Sequence, residues 1–203
     1  MTYKSRDIVI AAFVIAVALV TVAVALKARG QPTGPAAYTP DGKLLFPKDY
    51  RRWAFLASGL GMSYSEGPAG SDPSFTNVFV NPDALAAFEK TGTWPDKTML
   101  VLEVRASSQK GSINKQGRFQ TTRQGAEVHV KDQARFKGGW AFFGFSGEGP
   151  GQLFPQSAPC YSCHEAHAAV DTTFAQFYPT VMPIAEARKT LSPAYLAEEA
   201  AKR

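Results

Sequence analysis

A chain of 203 residues with 45% hydrophobic residues has room for one domain of ordinary size plus a short extension, which excludes a disordered chain. The net charge is +5 and the isoelectric point about 9.2, yet residues 1–30 hold four Lys/Arg against one acid, leaving 18 basic and 16 acidic residues elsewhere. The basic balance belongs largely to the flanks of an apolar stretch, and no polybasic, aromatic-interleaved surface is present, so nucleic acid is excluded as the expected partner.

That apolar stretch comes first in the chain. Residues 8–26 (IVIAAFVIAVALVTVAVAL) carry no charge and are bracketed by Lys4, Arg6 and Asp7 before and by Lys27 and Arg29 after. As a helix they span ~28 Å, close to the ~30 Å hydrocarbon core of a bilayer. A cleaved secretory signal has an apolar core of ~7–15 residues, so length favours a retained single transmembrane helix. The small residues Ala23 and Ala25 keep cleavage open; either way the remainder is exported. The predicted organisation is a cytoplasmic N-terminus at 1–7, a membrane anchor or signal at 8–26, a Gly- and Pro-rich linker at 27–43, and a folded domain over 44–203.

Within that domain, four segments alternate as strands do: 76–81, 98–106, 125–132 and 139–147. A helix is predicted between the first two, capped by Asn81, begun by Pro82 and stopped by Gly92; a second follows Ser192 and Pro193. The expected class is α+β, mainly antiparallel β-sheet with a few helices.

The chain's only two cysteines stand in PCYSCHEAH, residues 159–167. A thioredoxin-type redox pair belongs after the first strand of a βαβ unit, which this late position does not offer. A structural zinc site needs four ligands and would have to recruit His167 or His129. A disulfide suits an exported chain but explains neither the close spacing nor the adjacent histidine. The pattern C-x-x-C-H is the attachment signature of c-type haem: Cys160 and Cys163 add to the two vinyl groups, and His164 brings an imidazole to the iron. One covalent haem c is the favoured expectation. Because haem is joined to this motif on the outer side of the bacterial inner membrane, the domain is expected in the periplasm.

The sixth coordination position separates an electron carrier from a ligand binder. His167, three residues beyond His164, points to the same side if both share a helix. His129 alternates in phase with Glu127 and Lys131, which predicts a solvent-facing residue. Met62, Met99 and Met182 are read as packing residues. A five-coordinate iron is the expectation.

Several stretches carry a family resemblance: LLFPKDYRRW, VFVNPDALAAFEKTGTWPDKTMLVLEV, VKDQARF followed by GWAFF, and CYSCHEAHAAVDTTFAQFYP. Together these resemble the cytochrome P-460 family, which includes the cytochromes c′-β, from about Leu44 to Pro179. The resemblance implies a mostly antiparallel sheet, one c-type haem with a proximal ligand at His164, a five-coordinate iron and usually a homodimer. It also implies one of two activities. Members of the P-460 type oxidise hydroxylamine and need a lysine joined to the haem ring; members of the c′-β type lack that bond and bind nitric oxide or carbon monoxide in an apolar distal pocket. Leu102 stands where the linking lysine would be, and Thr76 aligns with a distal arginine of the enzymes. The residues before the first cysteine, 154–159, contain no acid, and no proton-accepting base can be nominated from the sequence. Leu100, Leu102 and Val104 share one strand face; taken alone they read as core residues, and the resemblance makes them an apolar wall suited to small gases. Lys97, out of phase, and Lys131, read as solvent-facing, are not expected to replace the missing lysine. The function expected is gas binding, with a hydroxylamine- or nitrogen-oxide-directed oxidoreductase as the first alternative and an electron-transfer cytochrome as the second.

Overall fold

A computed structural model describes residues 36–63 and 72–202. The predicted segments 1–7 and 8–26, and most of the predicted linker, lie outside the described residues. Among the described residues no helix is long and apolar enough to cross a membrane.

Six strands follow one another in space as they do in sequence: β1 (Ala54–Leu60), β2 (Phe75–Val80), β3 (Met99–Ser108), β4 (Phe119–Lys131), β5 (Trp140–Phe145) and β6 (Gln152–Leu153). Every neighbouring pair is antiparallel. Four α-helices, α1 (Pro82–Thr91), α2 (Pro159–His167), α3 (Met182–Arg188) and α4 (Pro193–Ala201), and two short 3-10 helices, Tyr50–Arg52 and Ala175–Phe177, complete the described chain. The fold is α+β, as the alternating segments predicted. β1 and β6 carried no comparable signal, because β1 (AFLASGL) mixes small and apolar residues on both faces and β6 is two residues long.

Both faces of the sheet's central part are covered, while β6 and the first half of β4 are largely exposed. On one face Met99, Val101, Val128, Val130, Ala141 and Phe143 join Leu44, Phe46, Tyr50 and Trp53 in one core. On the other, Val78, Val80 and Leu100 pack with Phe88 and Trp94 and with the C-terminal residues Val170, Ala175, Val181 and Ala185. Fully burying side chains of this size contributes ~1.5–3 kcal/mol each. β5, WAFFGF, is apolar on both faces, the composition of a strand with no solvent side. Residues ahead of Leu44 also belong to the fold: Tyr38 bridges to Leu44 and its ring meets Phe136 and Phe143.

The predicted helix α1 begins at Pro82 and ends at Gly92, which takes φ +76 and returns its N–H to the Phe88 carbonyl at 2.7 Å. Asn81 holds the cap position, but its side chain does other work. Its Oδ1 accepts the Met99 N–H at 2.8 Å and so binds the helix start to β3. At α4, Ser192 caps as predicted, accepting from the Tyr195 N–H at 3.1 Å while donating to the Ala168 carbonyl at 2.6 Å.

Candidate functional site

The motif 159–167 coils into helix α2, with Pro159 at its first turn where a missing N–H costs nothing. Cys160, Cys163, His164 and His167 stand at i, i+3, i+4 and i+7, the spacing that puts side chains on one helical face. Both thiols are free. Together with one face of the sheet the helix borders a partly open cavity of about 430 Å³. Its walls include Cys160, Cys163 and His164 from α2, Phe174, Phe177 and Tyr178 from the following segment, and Ala57, Thr76, Val78, Leu100, Leu102, Glu127, His129 and Phe142 from the strands.

The surroundings of His164 suit a metal ligand. Its Nδ1–H donates to the Thr172 carbonyl at 2.7 Å, and since a carbonyl only accepts, the proton resides on Nδ1 and the lone pair on Nε2. Burial lowers its pKa, with the Thr172 bond opposing, so the ring is neutral near pH 7. Burial also raises the Cys160 thiol, keeping it protonated. Phe142 and Phe174 flank the imidazole at ring-centre distances of 4.7 and 4.1 Å.

Thr76 and Leu102 line the same cavity as the motif, although they come from strands 58 or more residues earlier in the chain. Leu100 lines it too; Val104, their partner in strand phase, is not among the lining residues. Of the aromatic strand residues, Phe142 reaches the cavity, whereas Phe79, Phe143 and Phe145 pack with the opposite core. Met62 is 48% exposed at the cavity edge and is not a core residue as the sequence suggested.

The structure corrects two further expectations on β4. His129 is in phase with Glu127 and Lys131; Glu127 is exposed, but Lys131 is half-buried and His129 is only 7% exposed. It stacks on Phe142 at 4.0 Å and meets the His164 ring edge-on at 5.1 Å. Burial, with His164 adding to it, holds its pKa well below the ordinary histidine value. Lys131 does not face solvent: its ammonium donates to the Trp94 carbonyl at 2.7 Å and pairs with Asp171 at 3.3 Å. Lys97 turns to Asp132 at 2.5 Å, and neither lysine lines the cavity. Glu127 does line it, as an exposed residue, so the cavity holds a carboxyl that sequence reasoning missed; partial desolvation raises its pKa. The available signal was the apolar composition of β5 on both faces, which implies that the neighbouring β4 face is covered as well. His167 faces a separate cavity with Glu198, whose carboxylate lies 2.9 Å from its Nδ1.

These residues fit a c-type haem. Two free thiols and an imidazole whose lone pair is on Nε2 meet at one largely apolar cavity, the donor set that the group requires. Among the described residues no cluster of three or more metal-ligating side chains gathers, so the cysteine pair has no zinc-like shell.

No curated protein sequence matches the chain. The family model described as Cytochrome P460 matches residues 47–175, more than half of the chain. With Cys160, Cys163 and His164 gathered at an apolar cavity within that span, the chain belongs to the cytochrome P460 family of c-type haem proteins that bind small nitrogen ligands.

Proposed function

We propose that the chain is a membrane-tethered c-type cytochrome of the c′-β kind, with its haem domain in the periplasm, binding nitric oxide or a similar small gas at a five-coordinate haem iron. Cys160 and Cys163 hold the one haem covalently and His164 ligates its iron. When bound, the haem supplies an iron with an open coordination position. The protein contributes a neutral proximal imidazole and an apolar wall, which suit an uncharged diatomic ligand.

One observation carries the reading. Leu102 and Thr76 both line the cavity, and the family resemblance aligns them with the lysine and the arginine of the hydroxylamine-oxidising members. A leucine can form no link to the porphyrin, and Lys97 and Lys131 are engaged elsewhere. Membrane attachment is supported by the uncharged stretch 8–26, periplasmic exposure by the attachment chemistry of C-x-x-C-H, and a homodimer by the family resemblance.

The test is an optical spectrum of the ferrous protein with and without nitric oxide, alongside the intact mass of the haem peptide. A Soret band of the five-coordinate c-type kind that shifts on adding the gas, with no lysine cross-link in the mass, is expected. A strongly red-shifted ferrous band with a cross-link overturns the reading, and a six-coordinate low-spin spectrum makes the protein an electron carrier.

Glu127 favours a second reading, an oxidoreductase acting on hydroxylamine or nitrogen oxides. Its raised pKa brings a carboxyl nearer the pH at which it accepts and returns protons. Under that reading hydroxylamine oxidation is measurable in the wild type and collapses in Glu127→Gln; under the gas-binding reading neither protein turns over.

A further inference from the structure

His129 is a buried polar ring to which the proposed function gives no task. Its surroundings are specific: one face stacks on Phe142 with the planes 10° apart, and its Nε2 lies 3.3 Å from the Thr172 hydroxyl. Thr172 is also the residue whose carbonyl takes the Nδ1–H of His164. One threonine therefore joins the two imidazoles, its backbone to the ligand and its side chain to His129.

Thr172 lies outside the regular strands and helices, so no ladder of backbone hydrogen bonds directs its carbonyl. Its neighbours hold part of the loop: Asp171 accepts the Trp94 N–H at 3.1 Å, and the Thr173 hydroxyl accepts the Trp94 indole N–H at 2.8 Å. The side chain of Thr172 itself is held by His129. A β-branched residue has a stiff χ1, so fixing its hydroxyl constrains the backbone that carries the carbonyl. The partner of a ligating histidine's second nitrogen sets the ring's orientation and its basicity toward the metal.

We propose that His129 is a positioning residue for the proximal ligand, acting through the Thr172 hydroxyl to hold the carbonyl that accepts the His164 proton. The inference rests on His164 being the haem-iron ligand, as proposed above. A phenylalanine at 129 would keep the stacking on Phe142 and remove only the hydrogen bond, so packing and positioning are separable.

The experiment uses the full-length, haem-loaded protein in five forms: wild type, His129→Phe, Thr172→Val, the double variant and Thr172→Ser. The iron–histidine stretching band of the ferrous haem and the midpoint potential are measured for each. A weaker His164–Thr172 bond makes the imidazole a poorer electron donor. The band is therefore expected to move to lower frequency and the potential to rise in His129→Phe and Thr172→Val. The double variant should move no further than the larger single, as residues on one path are non-additive, and Thr172→Ser, which keeps the hydroxyl without the stiff branch, should move both readouts back toward the wild type. If His129→Phe does not load haem, Thr172→Val carries the same test. A wild-type band that stays in place in both variants overturns this inference alone. A wild type without an iron–histidine band overturns the haem-ligand assignment and the inference with it.

Discussion

Asp171 and Trp94 are 77 residues apart, and the Asp171 carboxylate accepts the Trp94 backbone N–H at 3.1 Å. The bond ties the loop after the C-x-x-C-H helix to the turn that leads into β3. The same carboxylate pairs with Lys131 from β4, so three separate parts of the chain meet where the Thr172 carbonyl is held. Asp171 itself has φ +52, a left-handed conformation that Asp and Asn tolerate better than most residues. Asp171→Ala is expected to destabilise the domain by ~2–3 kcal/mol, through a lost charge-assisted bond and the strain of alanine in that conformation. Asp171→Asn should recover about half of the loss, as read from denaturant midpoints at constant m-value.

Leu102 lines the cavity and stands opposite Val78 on one side and Glu127 on the other in the strand register. Leu102→Lys places an amine on the cavity wall. The variant is expected to acquire a haem–lysine link visible in the mass of the haem peptide, with a red-shifted ferrous Soret band, and the wild type to show neither. A haem peptide of unchanged mass in the variant means that this position does not reach the porphyrin.

Glu103 follows Leu102 and points to the opposite face, where its side chain is 3% exposed. Burial alone would raise its pKa, but hydrogen bonds from Tyr50, Arg51, Asn77 and Arg105 outweigh that and hold it at about 2. A carboxyl depressed on folding stabilises the native state above its unfolded pKa of about 4.5, and that contribution is lost as the pH falls toward 2. Glu103→Gln should therefore lose ~2 kcal/mol at pH 7, the scale of a hydrogen bond to a charged group. The gap between variant and wild type should narrow steadily between pH 4.5 and pH 2, and a gap independent of pH would show that the charge is not what stabilises.

Gly59 lies on β1 beside the cavity, and a β-carbon added there would overlap the Met62 thioether and press on the Thr76 hydroxyl. Gly59→Ala should displace Met62 and reshape the cavity edge. A several-fold change in the nitric oxide association rate, with the ferrous spectrum before ligand addition unchanged, is the expected outcome in stopped-flow measurements.

Much of this protein was legible in local pattern. The four alternating segments became β2 to β5, Pro82 and Gly92 bound a real helix, and Ser192 caps another, because turn chemistry and strand period act over a few residues. The spacing of Cys160, Cys163 and His164 needed one helical turn to bring three groups to one face, so the motif carried its own geometry. What the chain could not show locally was which sheet face is covered. His129, Glu127 and Lys131 share a phase that reads equally well as solvent-facing, and only the packing of α2 and the C-terminal segment turned that face into a cavity wall. The Thr172 carbonyl that orients His164, the Asp171–Trp94 tie and the carboxyl of Glu127 in the cavity are likewise products of long-range contact. Alternation along a strand records two faces; the tertiary structure alone decides what lies against each.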